Sequence, residues 1–250
     1  DMAHILAEAV ITLFPNAKPT IGPFIKNGFY YDFDMESTLS DDDLANIEKK
    51  MKEILLEGRD FLKRAVTKKE ASEIFKDNKY KLELINNLDN SDEITLYEQK
   101  NFTDLCKGPH HKSTKDYNAS FKITNVSGAY WRGISTNKML QRIYATAWYS
   151  EKELRVYLKN LEEAKERNHR RLGTDMGLFL LTDLSAGNVF WKDKGLTLYQ
   201  NIEKYIRSEQ QKLNYFEVKT PELVSNELWI KSGHWDCLLY TSDAADEPLC

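Results

Sequence analysis

The sequence predicts an α+β fold in which helices pack against one face of a largely antiparallel sheet. Short extended runs (Phe61 to Val66, Tyr80 to Ile85, Ile94 to Tyr97 and Phe121 to Val126) alternate with capped helical segments, a pattern of that class. The 250 residues are 41% hydrophobic and 30% charged, which suits a globular chain of one large or two medium domains. No apolar run approaches the length of a membrane span, and the first residues lack the layout of a secretory signal. A net charge of -4 gives no overall attraction to nucleic acid, so any such binding must use local basic patches. Three widely spaced cysteines make no disulfide framework and point to a reducing compartment, the cytoplasm by default.

Taken in order, His4, Ala7, Val10 and Ile11 share a helical face, continued by Leu6, Leu13 and Phe14 before Pro15 closes the helix. A histidine in such a place is ordinarily a core or surface residue. Gly28 to Asp34 reads as an aromatic strand, with Tyr30 and Tyr31 pointing to opposite faces. Ser40 followed by three aspartates caps a helix reaching about Gly58, whose buried stripe is Leu44, Ile47, Met51, Ile54 and Leu55. Thr67-Lys-Lys-Glu70 is a capping box for a shorter helix. Lys81 falls in an extended run, where a lysine ordinarily faces solvent.

Thr103-Asp-Leu-Cys-Lys-Gly-Pro-His-His111 gathers a carboxylate, a thiol and an imidazole within a few residues. Gly108-Pro109 predicts a tight loop there, neither helix nor strand. Such a turn can aim Cys106 and His110 into one cleft, as half of a metal site or as a proton-transfer cluster. The plain alternative is a polar surface turn; His4 on its apolar helix is the residue that could complete a site.

Beyond it, Met139 to Trp148 alternates as a strand, and Ser150 caps a long helix with a basic end from Lys165 to Arg171. That end is read as a solvated face, with phosphate contact the lesser reading. A domain boundary is placed near Leu172-Gly173. Gly187 to Trp191 reads as a short strand or turn, and Gly195 precedes a helix carrying Leu198, Ile202, Tyr205, Ile206 and Leu213. Tyr215 to Thr220 reads as a strand stopped by Pro221, and Trp229 to Trp235 as loop.

Three stretches then resemble the threonyl-tRNA synthetases: Asp104-Leu-Cys-Lys-Gly-Pro-His110; Gly128-Ala-Tyr-Trp-Arg-Gly with Asn137-Lys-Met-Leu-Gln-Arg-Ile-Tyr; and Gly187-Asn-Val-Phe-Trp through Glu217-Val-Lys-Thr-Pro221 to Gly233-His-Trp-Asp236. The first two are also similar to the second additional domain of alanyl-tRNA synthetase and its free-standing editing relatives. The resemblance implies that residues 1–172 form an editing domain that hydrolyses seryl-tRNA, and that residues 173–236 begin a class II catalytic domain of antiparallel sheet. Serine and threonine differ by one methyl, too little for a single pocket to separate well enough, so a second hydrolytic site is needed.

The same resemblance implies site roles. His4 matches the second histidine of an H-x-x-x-H pair whose partner falls before Asp1, and Cys106 and His110 form the C-x-x-x-H turn. Asp104, Lys81 and Tyr31 match further positions. His4 and His110 are expected to position or deprotonate water, Asp104 to hold the substrate amine, and Lys81 to handle the ribose end, with Tyr31 binding substrate. The editing site is expected to be metal-free; zinc, if bound, would take His4, Cys106 and His110. ATP with magnesium and a catalytic zinc are implied for the full-length enzyme, at sites this chain lacks. Implied partners are the threonine tRNA, threonine and serine, and a second copy through motif 1, with no membrane. A free-standing editing hydrolase and a non-catalytic tRNA-binding or dimerising module are the alternatives. Residues 237–250 are expected to be a non-biological tail, since Cys237 to Glu247 reads as a translated library adapter.

Overall fold

A computed structural model describes residues 1–89, 93–100, 102–116, 118–185, 187–221 and 224–235. The tail expected to be adapter-derived lies outside them. The chain divides into two compact units, Asp1–Glu166 and Arg167–Cys250. Among the described residues no helix is long and apolar enough to cross a membrane.

The first unit opens with helix α1 (Met2–Leu13), followed by β1 (Lys18–Pro19), β2 (Phe24–Ile25) and β3 (Gly28–Asp34). Next come α2 (Asp41–Leu56), β4 (Leu62–Val66), α3 (Lys68–Ile74) and α4 (Lys79–Asn86). Strands β5 (Ile94–Gln99), β6 (Phe102–Leu105), β7 (Ser120–Tyr130) and β8 (Met139–Trp148) lead to α5 (Glu151–Glu166). All pairings are antiparallel, as expected, but they make two sheets. One runs β1-β3-β8-β7 with β2 beside β3; the other is β4-β5-β6.

Local chemistry explains the helix starts. Ser40 Oγ accepts from Asp43 N–H while Asp43 accepts from Ser40 N–H at 2.8 Å, and Thr67 and Glu70 repeat the arrangement. Asn78 caps α4 through the N–H groups of Tyr80 and Lys81. This corrects the extended reading of Tyr80 to Ile85: the stretch is a helix, and its cap outweighs the apolar alternation. α1 buries residues on all sides of its first turns, from Met2 through Val10 save Ala3, so it is a core helix. Ile5, Leu6 and Val10 meet Phe33, Ile47, Met51, Ile54 and Ile143 in the main core. A second cluster (Ala71, Phe75, Ile85, Leu96) seals α3 and α4 to the smaller sheet.

The second unit contains α6 (His169–Asp175), β9 (Phe179–Leu180), β10 (Phe190–Trp191), α7 (Asp193–Lys212) and α8 (Asn226–Lys231). Gly195 lies inside the first turn of α7, where a Cβ would meet Leu178 O at 1.9 Å. Two expectations are corrected here. Residues 215–220 form no strand, because no other described segment pairs with them, and Trp229 sits in a short helix.

Replacing Met51, fully buried beneath α1, with alanine is expected to lower the unfolding free energy by about 2–5 kcal/mol. The same change at the exposed Leu56 should stay within about 0.5 kcal/mol. Urea titrations of the two variants compare them directly.

Candidate active site

Side chains from five places converge beneath α1. His4 projects from α1, Tyr31 from β3, Lys81 from α4 and Asp104 from β6, with Cys106 and His110 on the loop that follows. The Asp104 stretch thus begins as strand: Thr103 to Leu105 pair with β5, and the expected loop starts only at Cys106. Pairing wins because the β5 edge offers a complete ladder; the Gly-Pro turn acts only after it. Lys81 likewise departs from the sequence reading. It is buried, 2% exposed, and not solvent-facing.

Asp104 is the hub. Its Oδ1 accepts from Lys81 Nζ and from Leu105 N–H at 2.8 Å, and its Oδ2 accepts from Tyr31 Oη at 2.6 Å. His4 Nε2 lies 3.4 Å from the same Oδ2. Burial works to raise this carboxyl, but the charges of Lys81 and His4, with hydrogen bonds from Lys81 and Tyr31, hold it below the usual range. Burial, then the Asp104 charge, push the Tyr31 phenol well above its ordinary value, so it stays a donor.

Cys106 and His110 form the second layer. Cys106 Sγ is 3.1 Å from His110 Nε2 and accepts from Gly108 N–H at 3.4 Å. Burial would raise the thiol, yet the hydrogen bond from His110, the neighbouring His4 imidazole and the Gly108 N–H outweigh it and bring the pKa from 9.0 to about 5. Gly108 holds φ +71°, and a Cβ there would meet Tyr97 Oη at 2.1 Å, so only glycine fits. The His110 ring packs edge-on against Tyr97 at 4.3 Å and stacks on Phe61 at 5.8 Å. Asp1 completes the frame, its carboxylate meeting Nδ1 of both His110 and His111.

The six expected residues therefore converge, but not as one surface. His4, Cys106 and His110 line a cleft of about 800 Å³; Tyr31, Lys81 and Asp104 are not among its lining residues and form a buried layer beneath. Sequence reasoning missed Asp1, Phe61 and Tyr97. An aspartate beside a helix start reads as a cap, and the aromatics read as core, so no local signal marked them.

Ligand atoms of His4, Cys106 and His110 lie within 4.8 Å of one another, and His4 Nδ1 is buried with no hydrogen-bond partner among the described residues. Donor types and spacing fit zinc, which bound there would lower the pKa of a coordinated water.

The Cys/His turn lies within a stretch that matches a family of known proteins. Residues 94–144 match the family described as Threonyl and Alanyl tRNA synthetase second additional domain. Over 238 residues, 94% of this chain, the sequence is 51% identical to threonine–tRNA ligase of Wolbachia pipientis subsp. Culex pipiens. It is 48% identical over its whole length to that of Ehrlichia chaffeensis, and 46% to that of Pelagibacter ubique. The chain is thus similar to threonine–tRNA ligases over nearly all of its own length. It spans 37% to 40% of the length of these three relatives.

Two outcomes test the site. Alkylation of Cys106, followed by mass mapping of its peptide, is expected to accelerate through pH about 5 and level off by neutrality, because the thiolate is the nucleophile. A thiol at the ordinary 9.0 would still be gaining rate there. Lys81→Met leaves Asp104 buried without its ammonium partner, and is expected to destabilise the fold by about 3–5 kcal/mol in denaturant titrations.

Proposed function

We propose that the first unit hydrolyses the ester of serine wrongly attached to the threonine tRNA, within an enzyme that charges that tRNA with threonine using ATP. The observation that carries this is the buried Lys81–Asp104–Tyr31 layer supporting a thiol and two imidazoles in an open cleft. A water held in the cleft beside His4 and His110 gives its proton to the imidazole–thiolate set and attacks the ester carbonyl. As the carbon–oxygen bond breaks, the leaving ribose oxygen takes a proton from His110, and serine is released.

Asp104 already has both oxygens engaged. A substrate amine would have to displace one of those partners, so geometry favours Asp104 as the residue that positions His4 and Lys81. Lys81 reaches the substrate's ribose end only if the layer above it opens; otherwise it acts through Asp104. The reading is metal-free, since the thiolate is compensated by imidazoles and the carboxylate by lysine. Residues from 173 onward are read as the opening of a class II catalytic domain. Its ATP, magnesium and catalytic zinc sites, and the homodimer made through motif 1, belong to the longer enzyme, which works in the cytoplasm. The similarity to full-length ligases covers 94% of the chain or more, so it takes in residues 173 onward, which a free-standing editing hydrolase would not need.

Lys81→Met and His110→Ala, introduced in the full-length enzyme, are expected to slow deacylation of seryl-tRNA by about 100-fold or more. Hydrolysis at the unmodified rate by both variants would falsify the assignment.

A further inference from the structure

The cleft continues past the reactive trio to a margin that the hydrolytic step does not use. Phe24 on β2 is 89% exposed and Tyr149, just after β8, is 82% exposed. Among the described residues of the first unit they are the only aromatic side chains more than about a third exposed, and both line this cleft. A phenyl ring left in water forgoes stabilisation that its neighbours enjoy, so such a pair flanking a cleft marks a surface built to be covered. Two exposed lysines, Lys26 and Lys107, line the same cleft and make no ion pair among the described residues. Glu153 also lines it, with its carboxylate accepting from Ser150 Oγ at 2.9 Å.

We propose that Phe24 and Tyr149 form a stacking platform for a base of a single-stranded RNA 3′ end, with Lys26 and Lys107 meeting its phosphates. This rests on the reading of the cleft as an RNA-ester site and extends it outward. Every base has a π-face, so an aromatic platform holds a strand with little sequence preference, while lysines follow the backbone. Within this lining the trio is buried or half-buried, whereas the two rings stand open to solvent. A strand whose terminal ester sits among the imidazoles therefore passes the rings with a nucleotide further back. Glu153 repels phosphate, so the backbone is expected to follow the lysines.

The test uses the 250-residue chain and fluorescence anisotropy with a short single-stranded RNA ending in a free 3′ hydroxyl, beside the same end closed in a blunt duplex. Phe24→Leu and Tyr149→Leu keep apolar bulk but remove the π-face, and each is expected to weaken strand binding by roughly 5- to 150-fold. Phe24→Tyr should restore it. Both rings are exposed, so unfolding curves of the variants should overlay that of the parent. Lys26→Gln and Lys107→Gln should each reduce the slope of log affinity against log salt by roughly 0.7. Leucine variants that bind like the parent, a blunt duplex bound as tightly as the strand, or no strand binding at all would each overturn the proposal. Seryl-tRNA deacylation measured in parallel separates the two readings: ring-dependent binding without hydrolysis sinks the esterase and keeps the platform, and hydrolysis with ring-independent binding does the reverse.

Discussion

A carboxylate at 3% exposure is the constraint on which the first unit turns. Asp104 loses its water on folding, and an uncompensated charge in that position would cost several kcal/mol. The compensation comes from three other elements: a lysine from α4, a phenol from β3 and an imidazole from α1. None of these is near Asp104 in sequence, except through the fold. Assembly of the site and burial of the charge are thus one event.

That arrangement separates support from reaction. The buried layer is saturated with hydrogen bonds and presents His4 from below, while Cys106 and His110 approach from the loop and meet it in the cleft. The loop in turn is shaped by steric exclusion at Gly108 and by the rings of Tyr97 and Phe61. A further buried network secures the helix that carries His4. Gln99 donates to Glu8 at 2.7 Å and to the His4 carbonyl at 3.3 Å, and Arg59 pairs with Glu8. The first turn of a helix has few bonds of its own, so these ties hold the imidazole in place.

Much of the local structure was legible. The cap at Ser40 and the capping box at Thr67 announced α2 and α3, and the alternation from Met139 announced β8. The misreadings share one cause. The sequence reading places Lys81 in a short extended run; the Asn78 cap and packing of Ile85 against Ala71 and Leu96 decide for a helix. Residues 215–220 have strand chemistry but no described segment to pair with, and a lone strand leaves its ladder unmade.

By itself the sequence determined the chemical inventory: a thiol and an imidazole on a Gly-Pro turn, a histidine on an apolar helix, and a resemblance to the threonyl-tRNA synthetases through three motifs. Side-chain types and short-range turn geometry are local properties, so they can be read from a string. Only the tertiary structure decided that Lys81 is buried against Asp104, and that the expected residues divide between a cleft and a layer beneath it. Those outcomes depend on which distant groups share a low-dielectric interior, where an unmatched charge is far more costly than in water.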